Sequence, residues 1–257
     1  MSTPLLEARD LTVEIGGKRV CAGLHLDIRP GQRWAMLGIN GVGKTTLLHT
    51  LAGLRRPSAG EVRLDGEDIH RLPRRAVAKK LGLLLQEEGD AFPGTVLETA
   101  LSGRHPHLGR WQWESATDRD LARQALEQVG LQGFEDRLLD TLSGGERRRL
   151  SLATLLCQQP RLFLLDEPTN HLDPHQQIRL LDLLAAQARD GERALLMILH
   201  DVNLATRFCD HALLLFGNGE SLHGPMGEVL GAHSIERLYG HPVLELDGPR
   251  GPVYLPA

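Results

Sequence analysis

Eight consecutive residues, Gly38-Ile39-Asn40-Gly41-Val42-Gly43-Lys44-Thr45, carry three glycines, a lysine and a hydroxyl in the spacing GxxxxGK[ST]. Glycines at these intervals let backbone N–H groups close around phosphate oxygens, and a helix starting at the lysine adds positive potential at the same place. Lys44 is then placed to reach the β- and γ-phosphates of a nucleotide, and the Thr45 hydroxyl to hold Mg²⁺. The context fits. The apolar run Trp34-Ala35-Met36-Leu37 leads in, and a helical pattern (Thr46, Leu47, Leu48, Leu51, Ala52) leads out and stops at Gly53.

A second constellation follows the apolar run Leu162-Phe163-Leu164-Leu165, which ends in Asp166-Glu167. Two adjacent carboxylates at the end of a buried strand are costly without partners. A metal ion and an attacking water supply them, with Asp166 on Mg²⁺ and Glu167 polarising the water for attack on the γ-phosphate. A third, Leu142-Ser143-Gly144-Gly145-Glu146, precedes Arg147-Arg148-Arg149 and an apolar-periodic helix. It offers a capped helix N-terminus with glycines, a second place for an anion. One nucleotide does not need two phosphate-binding loops from one chain.

That third string, with the phosphate loop before it and the acidic strand end after it, resembles the signature of ABC-type ATPases. In that family the second loop serves ATP held by a partner, so the resemblance implies a head-to-tail dimer of two copies with two shared sites, taking ATP and Mg²⁺. It also assigns the remaining residues. Gln86 resembles the glutamine that contacts Mg²⁺ or water and senses the transmembrane partner. Asn170-His171-Leu172-Asp173 resembles the D-loop, and His200 the switch histidine on the γ-phosphate. Two departures stand out. Where an aromatic residue usually stacks on adenine, Glu14-Ile15-Gly16 offers only Ile15, an apolar contact. Arg148 stands where glutamine is commoner, an exchange read as neutral.

The elements that must position these residues follow from the rest of the pattern. Leu81 to Leu85 runs into Gln86, and Ala194 to Leu199 into His200. With the two strands above, four apolar segments thus deliver a glycine or polar residue at their carboxyl ends, as in an open parallel sheet whose ligands bind at that edge. The first 30 residues and Gly60 to Gly66 alternate over shorter stretches with turn signals at Gly16-Gly17 and Asp65-Gly66, as in an antiparallel sheet. The expected fold is α/β, a P-loop core of mostly parallel sheet with an antiparallel β-subdomain (1–86 and 159–230), a helical insert (87–158) and a C-terminal extension (231–257). In the insert, Leu121, Ala122, Ala125, Leu126 and Val129 recur at helical spacing up to Gly130.

Length and composition set the bounds. A chain of 257 residues, 41% hydrophobic and 24% charged, has room for one large α/β domain. A net charge of −4 does not favour a nucleic-acid partner. The basic stretch His70 to Lys80 reads as the solvated face of a short helix starting near Pro73. Three widely spaced cysteines fit small buried thiols in a reducing compartment. With neither a signal peptide nor a 20-residue apolar run, any membrane role must come through a partner, and the family resemblance implies a peripheral place on the cytoplasmic face of the cell membrane.

Two further strings resemble a subgroup of the family, the ATPases that import iron-siderophores, haem or cobalamin. They are Gly103-Arg104-His105-Pro106-His107-Leu108-Gly109, like its GRxPH segment, and the tail Leu238-Tyr239-Gly240-His241-Pro242-Val243. The resemblance implies polytopic permease subunits as partners, with a periplasmic or extracellular substrate-binding protein. A soluble ABC ATPase for iron–sulfur cluster assembly is the alternative, as is an ABC ATPase for another cargo. His105/His107 and His171/Asp173/His175 have metal-like spacing, but each already has a place in the family pattern. Phe92, Leu108, Trp111 and Trp113 leave two readings open, anchors for a membrane partner or packing inside the insert.

Overall fold

The computed structural model describes residues 3–85, 94–170, 172–248 and 251–257. The chain opens with β1 (Leu6–Ile15) and β2 (Lys18–Ile28), joined at Gly16-Gly17, where both residues have positive φ as a tight hairpin turn requires. Then come β3 (Arg33–Leu37), α1 (Lys44–Leu51), β4 (Ala59–Leu64), β5 (Glu67–Asp68), α2 (Arg74–Lys80) and β6 (Leu81–Leu84). A helical stretch holds α3 (Val96–Ser102), α4 (Ala116–Gln128) and α5 (Gly144–Gln158). It is followed by β7 (Leu162–Leu165), α6 (Pro174–Gln187), β8 (Ala194–Ile198), α7 (Val202–Phe208), β9 (His211–Leu215) and β10 (Ser221–Pro225). The chain closes with α8 (Met226–Val229), α9 (Ala232–Tyr239) and the hairpin β11 (Val243–Gly248) and β12 (Gly251–Pro256).

The larger sheet runs β10-β9-β3-β8-β7-β6, parallel except for β10 on its edge. The smaller sheet, β2-β1-β4-β5, is antiparallel throughout. Both were expected, as was the short helix behind Pro73. The strands of the larger sheet are apolar on both faces, and the period of two sorts their side chains into two cores. Met36, Leu164, Leu196 and Ile198 point to the antiparallel sheet and α1. Leu37, Phe163, Leu165 and Met197 point to the helices α3 to α6.

Each of α3, α4 and α5 begins with a reciprocal capping pair, Thr95 with Glu98, Ser115 with Asp118 and Ser143 with Glu146. The GRxPH segment lies between α3 and α4, held by its own polar side chains. Arg104 is buried, giving Nε to Asp118 at 2.8 Å and Nη1 to the Cys157 carbonyl at 3.0 Å. His107 Nε2 lies 2.8 Å from the Gln158 carbonyl. A few residues on, Trp111 and Trp113 are 92% and 86% exposed. Packing inside the insert is therefore excluded for both, and Phe92 lies outside the described residues. Among those residues no helix is long and apolar enough to cross a membrane.

Candidate nucleotide site

Glycine 43 shows why the loop after β3 has its composition. Its φ is +106°, and a Cβ there would lie 2.5 Å from Val20 Cγ2, so both conformation and space exclude a side chain. The loop delivers Lys44 as the first residue of α1, buried, with Nζ donating to the carbonyls of Gly38 (2.8 Å) and Ile39 (3.1 Å). Burial lowers the pKa of this ammonium, while the carboxylates of Glu167 and Asp166 work the other way.

β7 runs parallel to β6 and β8 and ends at Leu165, immediately before Asp166, which is fully buried. Neither of its carboxylate oxygens accepts a hydrogen bond of ordinary geometry among the described residues, although the Thr45 hydroxyl stands close by. Burial raises its pKa, opposed chiefly by the Thr45 hydroxyl. A buried carboxylate of this kind next to a threonine hydroxyl and a phosphate loop fits a hard divalent cation with oxygen ligands.

Glu167 is held from three sides. Oε1 lies 2.6 Å from His200 Nε2, Oε2 accepts from the Asn170 amide, and its carbonyl accepts from the backbone N–H of Asn170 at 3.2 Å. Its φ is +48°, uncommon for a residue with a side chain and a source of strain. His200 reaches it from the end of β8, immediately before α7.

Lys44, Thr45, Asp166, Glu167 and His200 thus converge at the carboxyl edge of the parallel sheet. Ile39 and Asn40 are exposed on the loop, Gly41 also has positive φ, Val42 is buried, and Thr46 continues α1. Ile15 lies at the end of β1, 43% exposed. Gln86 and His171 lie outside the described residues.

The signature residues stand apart. Leu142 is buried and Ser143 caps α5 from an exposed position, while Gly144, Gly145 and Glu146 form its first turn. Among the described residues no hydrogen bond joins them to the phosphate loop. Asp173 is the exposed N-cap of α6, accepting from Gln176 N at 2.9 Å.

Two contributors escaped the sequence reading. Asn170 entered it only as part of a string, and its contact with Glu167 needs the turn that brings them together. Arg148, read as a neutral exchange, is buried and donates to the carbonyls of Leu85, Asp166 (2.6 Å) and Glu167 (2.9 Å).

The comparisons agree with this geometry. The family model described as "ABC transporter" matches residues 21–170. The ferric enterobactin transport ATP-binding protein FepC of Escherichia coli K12 is 38% identical over 251 residues, 96% of this chain and 92% of that one. The hemin import ATP-binding protein HmuV of Pseudomonas entomophila is 39% identical over 93% of this chain and 94% of its own. Among solved structures, an inward-facing metal-chelate type ABC transporter superposes with a TM-score of 0.84 at 25% identity, covering 99% of this chain and 98% of that one. A phosphate loop, an acidic strand end and a separately capped signature helix, in a chain matched nearly end to end, lead to one conclusion: this chain belongs to the ABC transporter family.

Proposed function

We propose that the chain is the ATP-hydrolysing subunit of an importer for an iron chelate, haem or a cobalamin. Two copies work head to tail, with ATP between the phosphate loop of one and the signature helix of the other. The observation that carries the two-copy reading is that Ser143 is exposed and, among the described residues, shares no hydrogen bond with the phosphate loop of its own chain. A capped, glycine-bearing helix N-terminus open to solvent suits an anion brought by a second molecule. The cargo class rests on relatives whose names specify ferric enterobactin, hemin and cobalamin transport.

Within one site, the loop amides and Lys44 bind and orient the β- and γ-phosphates, and Ile15 packs against the base. Thr45, Asp166 and Gln86 would hold Mg²⁺, which when bound supplies charge neutralisation on the phosphates. Glu167 orients the attacking water and accepts its proton. His200, at 2.6 Å from Glu167 Oε1, moves to the γ-phosphate when that group arrives. Asp173 faces the partner copy. The chain acts on the cytoplasmic face of the membrane through permease subunits, docked beside Gln86 and the segment Gly103 to Trp113. Co-purification with a polytopic permease, and ATP-dependent uptake of one of the three cargoes by the reconstituted complex, is the test. A chain that co-purifies only with a soluble scaffold protein would remove the transport reading.

A further inference from the structure

The best-connected guanidinium near the site belongs to a residue with no role so far. Arg148 sits on α5, five residues after the signature Ser143, and is buried. Its Nη2 donates to the carbonyls of Asp166 and Glu167, at 2.6 and 2.9 Å, and its Nη1 to the carbonyl of Leu85, just past the end of β6. One planar group therefore joins the ends of two adjacent parallel strands to the signature helix.

Its placement coincides with strain. Glu167 has φ +48°, and such a conformation persists only where the surroundings over-determine it. Arg148 binds the carbonyls of Asp166 and of Glu167 itself, on either side of the strained N–Cα bond. We propose that Arg148 is the positioning residue that keeps Glu167 in this conformation and makes the signature helix and the water-orienting carboxylate move as one body. Since Ser143 on that helix serves the partner's ATP, one chain's grip on one nucleotide is passed rigidly to the carboxylate acting on the other. This rests on the reading of Glu167 as the residue that orients the water. A neutral amide could bind one or two of these carbonyls, but only the forked guanidinium spans all three.

The test is a cycle in the full-length chain with Mg²⁺ and ATP. It uses Arg148→Met, which keeps length and removes the donors, Arg148→Lys, which keeps the charge, and Glu167→Gln, alone and combined with Arg148→Met. Arg148→Met is expected to lower kcat by about 10- to 100-fold, the cost of a misplaced reacting group, with KM and ATP affinity within about twofold of wild type. Arg148→Lys should recover part of the loss. In the Glu167→Gln background, Arg148→Met should add less than about twofold, because both act through one group. A folded Met or Lys variant with kcat within twofold of wild type overturns the proposal. So do losses that multiply in the double variant, or ATP affinity falling in step with kcat. If the Met variant does not fold, the Lys variant decides by the same criteria. Glu167→Gln with near wild-type turnover would instead remove the reading on which the proposal rests.

Discussion

The carboxylate of Glu167 and the imidazole of His200 meet at 2.6 Å across the ends of two adjacent strands, β7 and β8. On the proposed reading, the groups for the water and the γ-phosphate are thus each other's partners in this state, and nucleotide is expected to part them. Glu167→Gln keeps the shape and removes the base, so ATP binding should persist while turnover falls by about 10²- to 10⁴-fold and an ATP-bound dimer accumulates. Size-exclusion chromatography with ATP reads the second effect. A variant turning over near the wild-type rate removes Glu167 from this role.

On the proposed two-copy reading, Ser143→Arg places a large cation where the partner's γ-phosphate would dock. Monomers should still bind ATP but should not dimerise on adding it. Mixed with Lys44→Ala chains, at most one undamaged site forms per heterodimer, and full activity in the mixture would rule out the two-chain sandwich.

As the proposed base contact, Ile15 would offer adenine an apolar surface without a π-face. Ile15→Tyr should tighten ATP binding by about 2- to 10-fold, the equivalent of ~0.5–1.5 kcal/mol of aromatic stacking. The wild type should separate ATP poorly from GTP in a competition assay. Strong selectivity would mean that another aromatic residue covers the base.

Trp111 has φ +71° and, like Trp113, stands in solvent on a segment fixed by Arg104 and His107. A strained, exposed tryptophan on a rigid base is poor design for a monomer and good design for an anchor. Trp111→Ala or Trp113→Ala should leave basal ATP hydrolysis by the isolated subunit intact. The same changes should weaken assembly with permease subunits by about 30-fold, a hot-spot loss of about 2 kcal/mol. Loss of the fold, or unchanged uptake of iron chelate, haem and cobalamin, would count against the anchor.

The Ser115 hydroxyl, followed by the Arg104 guanidinium, pulls the Asp118 carboxyl down to about 2, against 3.8 unperturbed. A lowered folded-state pKa means that the charged form stabilises the fold above the unfolded value, and that this contribution fades as pH falls from about 4 towards 2. Thermal denaturation of wild type against Asp118→Asn should show a gap that narrows over that window. A constant gap would mean that the pair adds no charge-dependent stability.

Which of these features the sequence revealed depended on what kind of atom makes the contact. The phosphate loop was legible because its glycines record backbone conformation directly, and Gly43 tolerates nothing else. Asp166-Glu167 was legible because a buried strand ending in carboxylates asks for a partner. Arg148 was opaque because it binds main-chain carbonyls, Asp166 being 18 positions away, and any residue type supplies those. Exposure of Trp111 and Trp113 was undecided, since aromatic residues near Pro and Gly fit a core or an interface equally well. The C-terminal hairpin, with Leu244 opposite Leu255 and Leu246 opposite Val253, was hidden by a short alternation broken at Gly and Pro.

β3, which carries the phosphate loop, pairs with β8 through Arg33 and Leu195 and with β9 through Trp34 and His211. Both neighbours of that strand are therefore made late on the ribosome, long after the loop itself has emerged. At a synthesis rate of roughly 5–20 residues per second, the loop waits about 7 to 30 seconds before its strand is flanked. A nascent chain stalled before residue 194 should be unable to retain ATP, whatever its first hundred residues have done. Competence to bind nucleotide would then mark late completion of the sheet.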